Sequence, residues 1–336
     1  MSPLPSRRQV LKGTAIALGA LAIVALVAYA LVQRWLHARA EPVALATLAG
    51  ADTALALVYE VRPDDPEGRR LARDLASRHA ALRPWAPEAV RLIAHLGYAD
   101  PGAFVEGLLP IHLGVLVERD GSVLRYASFS NHARLVARIL AEEQGKLGPA
   151  VGHASGRPIH AQGAEFVATW EHTHLAATTR ARLEAALTRL AGGAAESEAT
   201  ELVAAMPHDR PLAAALLDRG GFLERALDRA RDDRGQSLAT ALRTDLGLGA
   251  EHVDRATLSA TPGPTELVGR LAIGLATTAA PTHADRAMGS LLDEVARRFL
   301  VAGLAIEHTT RRDGTTIEVT FAIRNLDKLW REAMSR

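Results

Sequence analysis

The chain has 336 residues, with 39 basic and 38 acidic side chains and no cysteine. That length suits one large domain or two ordinary ones, and the missing thiols exclude disulfides, thiolate metal sites, iron–sulfur clusters and cysteine nucleophiles. Residues 1–40 hold Arg7, Arg8, Lys12, Arg34 and Arg39 and no acid, which leaves 34 basic against 38 acidic residues beyond them, a net of −4. A mildly acidic body without a basic stripe argues against nucleic acid as a partner.

The first element in chain order is an uncharged apolar run over residues 13–32. As a helix rising about 1.5 Å per residue it covers roughly 30 Å, the thickness of a bilayer's hydrocarbon core. Tyr29 and Trp35 stand towards its far end, where amphipathic rings favour the interface. The bias of positive charge favours a cytoplasmic amino terminus, with residues 41–336 outside. These features predict a single-pass protein of the bacterial inner membrane, partnered to the membrane through this helix.

Just ahead of that run, Ser6-Arg7-Arg8-Gln9-Val10-Leu11-Lys12 resembles the twin-arginine export signal, Ser/Thr-Arg-Arg-x-Phe-Leu-Lys. The likeness covers seven residues and departs from the pattern at Val10, where the signal has Phe. It implies that Arg7 and Arg8 direct export. The length of the apolar run favours an uncleaved anchor, because cleaved signals carry shorter runs. Cleavage after Ala38-Arg39-Ala40, or an arginine pair that is only the basic flank of a general-pathway anchor, are the competing readings.

Thr53–Val61 has the length and residue types of a strand. Two helices follow, one begun by Pro66 with Leu71, Leu75 and Leu82 inward, the other begun near Pro87 and stopped at Gly97. Leu113, Val115 and Val117 alternate with more polar neighbours, Asp120-Gly121 forms a tight turn, and Val123–Phe129 alternates again, which predicts a β-hairpin. Asn131 caps a helix carrying Leu135, Ile139 and Leu140. Short strands are expected at Glu165–Trp170 and over 174–178, and Leu183, Ala186, Leu187 and Leu190 mark an amphipathic helix.

Residues 191–200 are small and polar and read as a boundary. Beyond it come a strand at Leu212–Leu217, a mostly helical stretch over 221–246, and two strands around Pro262-Gly263-Pro264. Thr282 and Asp285 start a helix with Met288, Leu291, Leu292, Val295 and Phe299 on one stripe. A second Asp-Gly hairpin at Asp313-Gly314 has Ile317, Val319, Phe321 and Ile323 inward on its outgoing strand, and a helix from Asn325 closes the chain.

Both hairpins read Arg-Asp-Gly-Ser/Thr and lead to an Asn that starts a helix. A duplication explains the match, and so does the commonness of Asp-Gly turns and Asn caps. The fold expected is therefore α+β: an anchor over residues 1–40, then two halves of antiparallel sheet packed with helices, 41–192 and 200–336, as a duplication would produce. This layout resembles a loose group of uncharacterised bacterial membrane-anchored envelope proteins, which implies an extracytoplasmic location and nothing about activity; an envelope protein is the partner expected of a binding or scaffolding body.

No motif carries a chemistry. No phosphate-binding Gly-rich loop is present, and the glycines around Ser155 in Gly152-His153-Ala154-Ser155-Gly156 are offset from an esterase elbow and read as a turn. Trp170-Glu171-His172-Thr173-His174 is the best place for a metal: in an extended chain His172 and His174 share a face, and His153, His160 or Glu171 supplies a third ligand. The same stretch falls where a hairpin should turn, which makes the histidines structural or exposed, and this reading is preferred. Asp64-Asp65 and Asp232-Asp233 read as a loop and an ion-paired helix face. No catalytic residue, cofactor or metal is assigned. The function expected is non-catalytic binding or scaffolding, with an exported hydrolase or metal-dependent enzyme built from dispersed residues as the alternative.

Overall fold

The computed structural model describes residues 41–62, 98–130, 148–192, 197–218, 221–229, 253–263, 265–275 and 303–326, with scattered positions between them. The strands are β1 (Thr53–Val61), β2 (Ile111–Glu118), β3 (Val123–Phe129), β4 (Ala150–Ala154), β5 (Arg157–Gln162), β6 (Glu165–Trp170), β7 (Thr173–Ala177), β8 (Leu212–Leu217), β9 (Val253–Pro262), β10 (Glu266–Leu275), β11 (Ala305–Asp313) and β12 (Thr316–Arg324). Between them lie α1 (Leu45–Leu48), α2 (Pro101–Gly107), α3 (Arg180–Gly192), α4 (Ser197–Ala205) and α5 (Phe222–Arg229).

All twelve strands join one antiparallel sheet in the order β11-β12-β10-β9-β8-β1-β2-β3-β7-β6-β5-β4. The expected α+β fold, with a transmembrane helix and two duplicated halves, is thereby corrected. Among the described residues the molecule is mostly sheet, with few and short helices. The stretches expected as separate halves merge where β1 pairs with β8, Leu57 standing opposite Ala214. Each strand's main-chain groups need partners, and this pairing satisfies both inner edges at once. The two Asp-Gly hairpins also hold different places, β2–β3 beside the centre and β11–β12 at one edge.

The anchor is corrected as well. No helix among the described residues is long and apolar enough to cross a membrane, which takes about 20 apolar helical residues. The longest described helix, α3, has 13 residues and carries Arg180, Arg182 and Arg189. The single-pass inner-membrane placement and the membrane partnership through an N-terminal helix are not supported. Of the run 13–32 only Ala30 and Leu31 are among the described residues, and Arg7 and Arg8 lie outside them. The helices expected from Pro66, from Pro87, after Asn131, beyond Arg229, from Thr282 and after Asn325 fall largely outside them too.

The strand register places inward the face of β2 opposite to the one that carries Leu113, Val115 and Val117. Leu116 and Glu118 are buried while Leu113 is 40% exposed. A strand offers two faces of opposite parity, and α1, α3 and α4 pack on the Leu116 face. There Leu48, Leu116, Leu124, Leu175, Leu183, Leu187 and Leu202 form the main core. A smaller cluster joins Val61 and Ile111 to Phe104 of α2 and to Leu108 just beyond it; α2 is begun by Asp100, whose carboxylate accepts the Ala103 N–H at 2.8 Å.

Strands β4 and β5 have no counterpart among the expected strands. Their two-residue turn is Ser155-Gly156, both at positive φ, 48° and 75°, the conformation of a hairpin turn that matches strand twist. The turn is where the glycines place it. Gly152 and Pro158 weaken the strand signal on either side.

Candidate functional site

The most elaborated polar site lies where three elements meet: the segment joining α1 to β1, the β2–β3 turn, and the face of α3 that runs from Thr179 to Arg189. The turn closes with Gly121 at φ 87°, a conformation suited to glycine, and its N–H donates to the Glu118 carbonyl at 2.9 Å. The Thr179 hydroxyl starts α3 by accepting the Arg182 N–H at 3.2 Å.

Arg182 leaves the helix beside Leu183, towards the core, and meets Glu118 at the end of β2. Its Nε lies 2.6 Å from Glu118 Oε1, with the two side chains only 5% and 9% exposed. The pair belongs to a longer chain of contacts. The Gly50 N–H donates to Thr53 Oγ1 at 2.8 Å, and that hydroxyl donates to Glu118 at 3.1 and 3.3 Å. Thr53 and Glu118 are register partners of β1 and β2. On the far side, Arg182 Nη2 donates to the Leu48 carbonyl at 3.3 Å, as does Arg189 Nη2 at 3.0 Å. The last residue of α1 thus accepts from two guanidinium groups, a favourable use of a helix carboxyl end.

Gly50, Glu118, Arg182 and Arg189 line a cleft of about 550 Å³, together with Asp52, Arg119 and Asp120. Arg119 Nη1 lies 3.7 Å from Asp52 Oδ1. Asp120 accepts the Ser122 N–H at 2.7 Å, and that bond holds its carboxyl below the ordinary range. Burial pulls the Arg182 guanidinium down to about 10, with Glu118 opposing the shift and Arg189 adding to it; it stays protonated at neutral pH. Arg182 Nη1 and Arg189 Nε are buried without a hydrogen-bond partner among the described residues, and Arg182 Nε, although ion-paired with Glu118, is not aligned to donate a hydrogen bond to it. From outside, Arg225 Nη2 donates to the Arg119 carbonyl at 3.3 Å, and Arg229 Nη1 packs so close to Gly121 that an added Cβ would stand 2.6 Å from it.

The histidines singled out from the sequence are placed elsewhere. Glu171 and His172 form the β6–β7 turn, with Glu171 at φ 48°, and His174 lies in β7 opposite Ala127 and Thr169. His172 is buried, its Nε2 2.7 Å from the Glu41 carbonyl. His160 Nδ1 lies 3.0 Å from the Gly148 carbonyl. No group of three metal-ligating side chains gathers among the described residues.

Sequence reasoning missed Thr53, Glu118, Arg182 and Arg189. Two signals pointed to the last three. Glu118 shares the parity of Leu116 at the end of an alternating strand, and Arg182 and Arg189 flank the Leu183–Ala186–Leu187 stripe at helical spacing. Charges in phase with apolar stripes on two elements mark a buried pair only once the elements are known to face each other.

Neither a protein-family model nor a curated protein matches the chain. Among solved structures it is similar to crystal form I of TP0453, at a TM-score of 0.44 and 11% identity, over 87% of this chain and 97% of that one. Crystal form III of TP0453 gives a TM-score of 0.46 at 11% identity, over 88% and 99%. The chain therefore has a weak, distant structural likeness to TP0453 across most of its length, and no activity is carried over from it.

Proposed function

We propose that this protein binds a small polar ligand without catalysis, and that the cleft at the amino end of α3 is its recognition site. The observation that carries the proposal is the pairing of the cleft's charges. Glu118 is committed to Arg182, Asp52 faces Arg119, and Asp120 is held by the Ser122 N–H. A general acid or base works best with a pKa near the operating pH; Asp120 moves further below neutrality and Arg182 remains well above it. Such an arrangement holds and orients a ligand, and the volume falls within the range of small-molecule sites.

The test is a thermal-unfolding screen of the full chain against small polar molecules, run beside turnover assays on chromogenic esters, phosphate esters and glycosides. Ligands that raise the midpoint with no turnover are expected. Ala185 lines the cleft from α3, so Ala185→Leu should fill it and remove the shift. Turnover that disappears in Ala185→Leu would instead make the site that of a hydrolase.

A further inference from the structure

We infer that the ligand is an oxyanion, a carboxylate or a phosphate group, held between Arg182 of the first turn of α3 and Arg189 of its last turn, whose guanidinium groups converge on the Leu48 carbonyl. This deepens the binding reading above and rests on it. Three independent features converge on one place. The first is a deficit of acceptors. Arg182 Nη1 and Arg189 Nε are buried N–H groups with no hydrogen-bond partner among the described residues. A buried unmatched donor is costly, more so on a charged group, and native structures rarely leave one. The carboxylates at hand are already engaged: Glu118 by Arg182 Nε and Thr53, Asp120 by Ser122. Among the described residues no acceptor is left for them, and both arginines line the cleft.

The second feature is the helix. α3 has 13 residues, and Thr179, Ala181 and Arg182, at its start, line the same cleft. A helix amino terminus carries a partial positive charge and favours anions. The third is the approach of Arg189. Gly50 lets that guanidinium pack against the backbone, where an added Cβ would lie 2.9 Å from Nη1. The same group is anchored by the Leu48 carbonyl, so it is held in place before any ligand arrives. Two positioned guanidinium groups and a helix end suit the planar or tetrahedral oxygens of an oxyanion.

The experiment uses the full chain and three probes: inorganic phosphate, succinate and uncharged glucose, each compared with chloride at equal ionic strength. Phosphate, succinate or both should raise the unfolding midpoint saturably, by a few degrees once the probe is in about tenfold excess over its dissociation constant. The rise should vanish in Ala185→Leu and need at least about tenfold more probe in Arg189→Met, which removes one charge-assisted bond. A response to phosphate alone identifies a phosphate group, and to succinate alone a carboxylate. A rise unchanged in Ala185→Leu overturns the inference, since it comes from general salt stabilisation, and so does a rise unchanged in Arg189→Met. If glucose raises the midpoint, Ala185→Leu abolishes that rise and the two anions do nothing, the anion assignment fails while the binding site stands. If no probe acts and the wider screen is also silent, both fail.

Discussion

Replacing Arg182 by Met tests the energetics of the site most directly. The perturbation removes one partner of a pair whose side chains are 5% and 9% exposed, and it also removes the Arg182 bond to the Leu48 carbonyl. Glu118 is left buried, with the Thr53 hydroxyl still donating to it. Breaking a buried pair on one side costs about 3–5 kcal/mol, because a charge is stranded away from water. Replacing both partners by apolar side chains is a different experiment. It removes the desolvation penalty together with the attraction, and buried pairs exchanged in this way are often neutral or stabilised by about 1–4 kcal/mol. Arg182→Met should therefore lower the stability of the chain by about 3–5 kcal/mol in urea unfolding. The double variant Arg182→Met/Glu118→Leu should recover most of that loss, with about 1 kcal/mol kept for the lost Leu48 bond. The double-mutant cycle then yields a coupling energy of several kcal/mol. A single variant that costs less than about 1 kcal/mol, or a double variant as unstable as the sum of the singles, would mean that water reaches the pair.

Leu116→Ala should destabilise by about 2–5 kcal/mol, since Leu116 is fully buried, whereas Leu113→Ala, on the other face of β2, should cost less than about 1 kcal/mol; equal losses in urea unfolding would contradict the strand's orientation. Thr53→Val keeps the shape but leaves the Gly50 N–H without its acceptor and takes a donor from Glu118, and should lower the urea midpoint by the equivalent of about 1–3 kcal/mol; an unchanged midpoint would mean that water replaces the hydroxyl. Burial, then the nearby Asp65 charge, push the Tyr59 phenol up to about 12, against about 10 in an unfolded chain. The folded value is the higher one, so the stability linked to Tyr59 is fully present below about pH 10 and is lost as pH rises towards 12. Stability followed across that window should fall less steeply in Tyr59→Phe, and curves of equal slope would show that Tyr59 ionises as freely folded as unfolded.

What the sequence by itself determined is local. The limits of β1, β3, β6 and β8 followed from runs of β-branched, aromatic and aliphatic residues between turn formers, and the Asp120-Gly121 and Asp313-Gly314 turns from the conformational freedom of glycine. The amphipathic stripe of α3 was legible for the same reason, because 3.6-residue spacing is written along the chain itself. The tertiary structure alone decided which face of β2 is buried, since both parities of that strand carry apolar residues and the packed helices select between them. It alone joined β1 to β8, strands about 150 residues apart, and so made one sheet of the stretches expected as two halves. The candidate site belongs wholly to this second class. Thr53, Glu118, Arg182 and Arg189 come from three separate elements, and each alone reads as an ordinary polar residue near the end or flank of its element. A buried charge acquires its meaning from the partner that neutralises it, and that partner is set by which elements the fold brings face to face.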